Sequence, residues 1–192
     1  MHELYEELYK YLSERHEHDP GFRFTTRITN RFGRLDRGYW FHGNDSYIAI
    51  SFWTGTDWMN KTPNIYFCIM DTECFLMISV FDSDIKKTFV DRELYGKISE
   101  LDLIKGRYYK YYGNSGWQFG IIKESLDVFL KEDKPRIDDA ILRSTELKKD
   151  GNKLGLIPEK TFEKWINNIE RYRRTPRITS ITFTTEDEKM PA

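Results

Sequence analysis

Apolar positions change their period twice along this chain, dividing it into a helix, a run of strands and a helical end. Leu4, Tyr5, Leu8, Tyr9 and Leu12 form one stripe on a charged rod, which predicts an amphipathic helix closed by Asp19-Pro20-Gly21. From Phe22 the period drops to two. Phe22, Phe24, Thr26, Ile28 and Phe32 hold even positions, while Arg23, Thr25, Arg27, Thr29 and Arg31 hold odd ones. That alternation predicts a strand with one apolar and one arginine-rich face. Gly33 and Gly38 interrupt it, Tyr39 to His42 resumes it, and Gly43-Asn44-Asp45 has the composition of a hairpin turn. Tyr47 to Trp53 follows as a strand with Ile48 and Ile50 on one side.

Beyond a loop over Thr54–Pro63, the runs Asn64–Met70 and Cys74–Phe81 are apolar on both faces and read as the central strands. Asp82-Ser83-Asp84 predicts a helix cap, with the helix reaching about Leu101. Arg107–Tyr112 and Trp117–Ile122 read as two more strands around an Asn114-Ser115-Gly116 turn. Helical stripes then dominate: Leu126, Phe129 and Leu130, then Ile137, Ala140, Ile141 and Leu147. A last stripe, Phe162, Trp165, Ile166, Ile169 and Tyr172, stands behind Pro158. A short strand, Ile178–Phe183, and an acidic tail finish the chain. The order predicts an α+β fold in one domain: a mostly antiparallel sheet flanked by an N-terminal helix and C-terminal helices. The core spans about residues 20–125, the helical part 124–175 and the tail 184–192.

The composition is that of a folded domain. The 192 residues are 39% hydrophobic and 32% charged, enough to bury a core without disulfides. Cys68 and Cys74 lie in apolar runs and are expected as buried reduced thiols. No run approaches a membrane span, and Met1 to Arg15 is charged and amphipathic rather than leader-like, so the expected location is the cytoplasm, away from membranes.

Motifs for chemistry are absent. The chain has no GxxxxGKS/T, no GxGxxG after a strand and no HExxH, and its histidines have no ligand-spaced partners. Asp71 with Glu73, and Asp82 with Asp84, sit at strand ends where a nuclease places metal-binding acids, but no lysine follows at nuclease spacing, and turn or cap duty explains both pairs. No catalytic group, metal or cofactor is expected.

Net charge is −1, so any nucleic-acid reading rests on local clusters. There are three: Arg23, Arg27, Arg31, Arg34 and Arg37; Lys105, Arg107 and Lys110; and Arg171, Arg173, Arg174 and Arg177. Guanidinium forks suit phosphate oxygens, although solvated faces and helix ends produce such runs too. Aromatic residues, 16% of the chain, accompany them. On a strand, Tyr108, Lys110 and Tyr112 share one face, and Arg107, Tyr109 and Tyr111 share the other, a mixture found where bases stack. Trp40, Trp53 and Trp58 add flat apolar area near the loops.

The stretch from Tyr47 to Tyr172 resembles the N-terminal DNA-binding domain of McrB-type methylation-dependent restriction systems. The residues that carry the likeness are YIAISFW, the paired runs NIYFCIMDTECFLMISVFDSD, Gly106 to Gly113 (GRYYKYYG) and the late helix FEKWINNIERYRR. The resemblance implies a reader of double-stranded, modified DNA that flips a modified cytosine into an aromatic pocket. Tyr112 then matches the pocket tyrosine and Ser51 or Phe52 lies in the pocket strand, whereas Trp53 is not matched to the family's pocket tryptophan. It also implies that an NTPase motor or nuclease resides in other domains or subunits.

The leading expectation is therefore a DNA-binding specificity module of a restriction or anti-phage system. Its phosphate contacts would be Arg23, Arg27, Arg31, Arg34, Arg37, Lys105, Arg107 and Lys110. Its pocket or stacking residues would be Trp40, Ser51, Phe52, Trp53, Trp58, Tyr109, Tyr111 and Tyr112. The alternatives are a protein-interaction module, such as an immunity or regulatory protein, and a divergent metal-dependent nuclease.

Overall fold

The computed structural model describes residues 1–55, 64–80, 84–145, 147 and 154–175. Trp58, Arg177, the Asp82-Ser83 cap, the strand expected at Ile178–Phe183 and the acidic tail lie outside them. The fold is α+β. Helix α1 (His2–His18) buries Leu4, Tyr5, Leu8, Tyr9 and Leu12, the stripe read from the sequence. The sheet then builds from β1 (His42–Gly43), β2 (Tyr47–Ile50), β4 (Asn64–Met70), β5 (Cys74–Ser79), β6 (Asp102–Ile104) and β7 (Arg107–Gly113). Its order is β1-β2-β4-β5-β7-β6 and every pairing is antiparallel. β3 (Trp53–Thr54) leaves this sheet and pairs with β8 (Gly155–Leu156).

Two tight turns set the register at the edges. Gly43 has φ 134°, and a Cβ there would meet the Tyr47 carbonyl oxygen at 2.1 Å, so the β1–β2 hairpin closes only on glycine. Lys105 (φ 48°) and Gly106 (φ 79°) turn β6 into β7, both left-handed as a two-residue hairpin requires.

Helices cover one face of the sheet. These are α2 (Asp84–Phe89), α3 (Phe119–Glu132), α4 (Lys134–Arg143) and α5 (Glu159–Arg174), together with α1. Ile48 and Ile50, then Ile65, Phe67 and Ile69, then Leu76 and Ile78, and Tyr108 point into one core shared with helical Leu126, Phe129, Ile137, Phe162 and Ile169.

Four expectations need correction. Phe22–Phe32 alternates in burial only as far as Arg27 and joins no ladder, because Thr25 donates to Ser51 (2.8 Å) and Arg27 to Trp40 (2.7 Å), two different segments. Ile28 and Phe32, placed on its apolar face, are instead exposed (58% and 73%). Trp117–Ile122 is not a strand: Trp117 sits in a turn at φ 52°, and α3 starts at Phe119, so Ile122 begins the helical stripe completed by Leu126 and Phe129. The helix after β5 stops at Leu94 in a π-turn (Val90–Leu94), after which Gly96 (φ 78°) turns the chain. The expected strand Tyr47–Trp53 is split at Ser51-Phe52, which hands Trp53 to β8.

Candidate functional site

Alternation on the strands sorts side chains between a covered and an open face. Opposite the core, Tyr47 and Ala49 of β2 stand beside Tyr66 and Cys68 of β4, Phe75 and Met77 of β5 and Tyr109 of β7 in a second, shallower cluster. His42 of β1 continues this face, with its ring stacked on Tyr66 at 6.4 Å and 23°. At the other side Phe75 packs against Tyr109 and Tyr111, each at 5.9 Å.

This face forms one trough made of three adjoining depressions. The first is bounded by Thr25, Arg27, Ile28, Thr29 and Trp165 and meets the second at His42 and Tyr66. The second meets the third at Met70, Phe75, Ser79 and Arg107, and the third ends at Lys105 and Tyr111. Glu73 is an acid on its wall.

Two basic islands approach Ile28, which lines the first end of the trough. Asn168 of α5 donates to the Ile28 carbonyl (3.2 Å), and Arg171 donates to the Asn168 side chain (3.0 Å). Thus Arg171 stands next to the segment leading to Arg31, Arg34 and Arg37, which are 134 to 140 positions away in the chain. The sequence offers no signal for this juxtaposition, which Asn168 makes on an α5 already held by Phe162 against Phe24 and by Arg173 against Glu6. Lys105 and Arg107, both exposed, mark the opposite end.

Not every expected cation faces solvent. Lys110 is the clearest correction. It is buried on the core side of β7, with its ammonium 2.6 Å from the Asp133 carboxylate and 3.2 Å from the Ser99 hydroxyl. Tyr112 donates to the same carboxylate (2.7 Å) and packs on Phe67 and Phe129, and burial followed by this bond pushes its phenol far above the usual range. Arg23 donates to the Ile157 carbonyl (2.9 Å), and Arg27 donates to the carbonyls of Tyr39 (3.3 Å) and Gly43 (2.9 Å). Burial lowers the Arg27 pKa from its ordinary value. Arg173 is bound between Glu6 and Glu170. These groups stitch the fold together, and among the described residues of the three islands the exposed cations are Arg31, Arg37, Lys105, Arg107, Arg171 and Arg174.

The aromatic expectations divide in the same way. Trp40, Phe52 and Trp53 are enclosed in the core, Trp40 donating to Glu6 (3.0 Å) and Trp53 to Asp138 (2.7 Å), and Ser51 is fully buried beside them. Enclosed indoles with satisfied N–H groups brace the core, although the Trp53 ring also floors the first depression of the trough from beneath. Tyr109 and Tyr111 do lie on the open face, joined there by Tyr47, Tyr66, Phe75 and His42, which sequence reasoning did not single out. The signal for these residues was present: each occupies the phase of its strand opposite to the core-facing positions.

Among the described residues no group of three or more His, Cys, Asp and Glu side chains is placed to hold a metal ion. Asp71 and Glu73 lie in the β4–β5 turn, whose backbone is pinned by Gly116 N–H on the Asp71 carbonyl (3.0 Å). Cys68 and Cys74 are free and buried, and burial pushes both thiols up to about 12, which leaves them protonated and unreactive at neutral pH. Among the described residues no helix is long and apolar enough to cross a membrane. No protein family, curated protein or solved structure matches the chain.

Proposed function

We propose that this chain is a non-catalytic nucleic-acid-binding module that lays its ligand along the open face of the sheet. One observation carries the reading: an aromatic trough on a sheet, with Lys105 and Arg107 lining one end and, beyond the other, exposed Arg171 linked through Asn168 to the lining residue Ile28, from which the chain runs on to Arg31–Arg37. Ring faces on a sheet take bases that are out of their stack, while guanidinium forks take the flanking phosphates. DNA with an unpaired or extruded base meets both demands. A preference for modified cytosine and a place in a restriction or anti-phage system rest on the resemblance carried by Gly106 to Gly113. In this reading the base meets Tyr66, Phe75, Tyr109 and Tyr111, not the enclosed Trp40, Ser51, Phe52 and Trp53. Any motor or nuclease activity belongs to other domains or subunits.

Fluorescence anisotropy with labelled single strands, duplexes and cytosine-modified duplexes at low and moderate salt tests the proposal. Affinity should fall with salt, with a log–log slope of about −0.7 to −0.9 for each phosphate neutralised. The double variant Arg107→Ala/Arg171→Ala should flatten that slope by about two contacts. Absence of binding to every oligonucleotide at low salt would retire the reading. One feature favours a protein partner instead: the centre of the trough, Ala49, Cys68, Met70 and Met77, is uncharged and methionine-rich. A protein partner at this centre would give little salt dependence.

A further inference from the structure

From Asn30 to Gly38 the chain folds into a small turn tied together from within. The Asn30 side-chain oxygen accepts from the N–H groups of Leu35 (2.8 Å) and Asp36 (3.3 Å), and its amide donates to the Asp36 carboxylate (2.6 Å). Gly33 N–H returns to the Asn30 carbonyl (3.0 Å) and Tyr39 N–H to the Arg34 carbonyl (3.1 Å). Leu35 and Tyr39 root the turn in the core, and the Tyr39 hydroxyl donates to Asp45 (2.6 Å). Arg37 reaches back to the carbonyls of Phe32 (3.0 Å) and Gly33 (3.4 Å). A turn with this many internal bonds is a rigid mount.

At its tip stands Phe32, 73% exposed, with φ 57° and ψ 30°. A bulky L-residue rarely adopts the left-handed region, and a large ring held in water gains nothing for the fold. The Arg31 guanidinium lies 4.9 Å over that ring, while Arg34 and Arg37 flank Tyr39 at 5.1 and 5.6 Å. The tip thus combines one outward apolar ring, a fixed backbone and three arginines around its base.

We propose that Phe32 is a wedge that inserts into the base stack of a bound nucleic acid while Arg31, Arg34 and Arg37 hold the phosphates on either side. The inference rests on the nucleic-acid reading above and adds to it the residue that opens the stack. Apolar side chains that unstack a base step are used in this way, with cations beside them to grip the backbone. A lipid surface is less well matched, because the tip offers a single ring where insertion needs a broader apolar face.

The two requirements on position 32, fold and ligand, conflict, and the conflict supplies the test. Phe32→Gly removes the ring and relieves the left-handed strain, so its melting temperature should equal or exceed that of the wild type. In the same protein, affinity for a duplex carrying a central mismatch beside 2-aminopurine should fall about tenfold, the worth of one stacked base. The rise in 2-aminopurine fluorescence on binding should vanish, and Phe32→Trp should restore it. The salt slope should stay unchanged because the arginines remain. Equal affinity and equal fluorescence in wild type and Phe32→Gly would overturn the wedge while leaving nucleic-acid binding intact. Wild-type protein that binds no oligonucleotide, or that binds vesicles of phosphatidylcholine and phosphatidylserine through Phe32 instead, would overturn both.

Discussion

Strand β7 carries two aromatic-basic sets that look alike in sequence and end in opposite environments. Tyr108, Lys110 and Tyr112 face the helices, where the lysine and one tyrosine converge on Asp133 and the other tyrosine donates to Asp91. Arg107, Tyr109 and Tyr111 face the trough. The first set is neutralised and enclosed, and the second is presented. Residue type alone therefore does not report function. What separates the sets is which side of the pleat the helices cover.

The largest effect is expected at the enclosed set. Asp133→Ala strands a buried ammonium and should destabilise the chain by about 3–5 kcal/mol in urea unfolding. Replacing both partners, Lys110→Met with Asp133→Leu, should recover most of that loss, since no charge is then left unpaired. A cost of Asp133→Ala near zero would mean that water reaches the pair. Next in size, adjacent positions on β4 should differ: Phe67→Ala opens the core and should cost about 3–5 kcal/mol, whereas Tyr66→Ala on the open face should cost about 1 kcal/mol. Similar losses at the two positions would mean that the trough is part of the core. The smallest effect belongs to His42, whose pKa is held below its ordinary 6.5 by burial and then by Arg27. The unfolded chain then takes up a proton that the folded chain resists. Stability is complete above pH 6.5 and declines as pH falls from there toward the lower folded value. His42→Gln should flatten that decline in melts recorded from pH 7.5 to 5, and an unaltered profile would assign the titration elsewhere.

Much of the architecture could be read from the chain because it is local. The α1 stripe and the runs forming β4 and β5 have the right period over their whole length, and burial follows the period. Errors arose where period two was short. Phe22–Phe32 alternates, yet its neighbours bond it at isolated points, and its last even residue points outward from a strained turn. Trp117–Ile122 is too brief to distinguish a strand from the first turn of α3. β6 was missed because its three residues are all exposed and carry no pattern. The site was less legible than the fold. Tyr109 and Tyr111 follow from alternation, but the pairing of Lys110 with Asp133 joins positions 23 apart, and the meeting of Asn168 with Ile28 joins positions 140 apart. Nothing in a linear pattern encodes either.

The clasp between the first and last described helices also bears on the order of folding events. The sheet is a meander of neighbours in sequence, save that β3 is left out and β6 turns back beside β7, and its longest loop, from Ser79 to Arg107, spans 28 positions. By contrast, Tyr9 with Glu170 and Glu6 with Arg173 join positions 161 and 167 apart. Closing so long a loop carries a larger entropy cost, and contacts of this kind form late and slow folding. Helix α5 is thus the part of the chain expected to dock last, on a meander already formed. Because Asn168 and Arg171 ride on that helix, their contact with the Ile28 end of the trough forms only when docking is complete, so partly folded chains should lack that end of the trough.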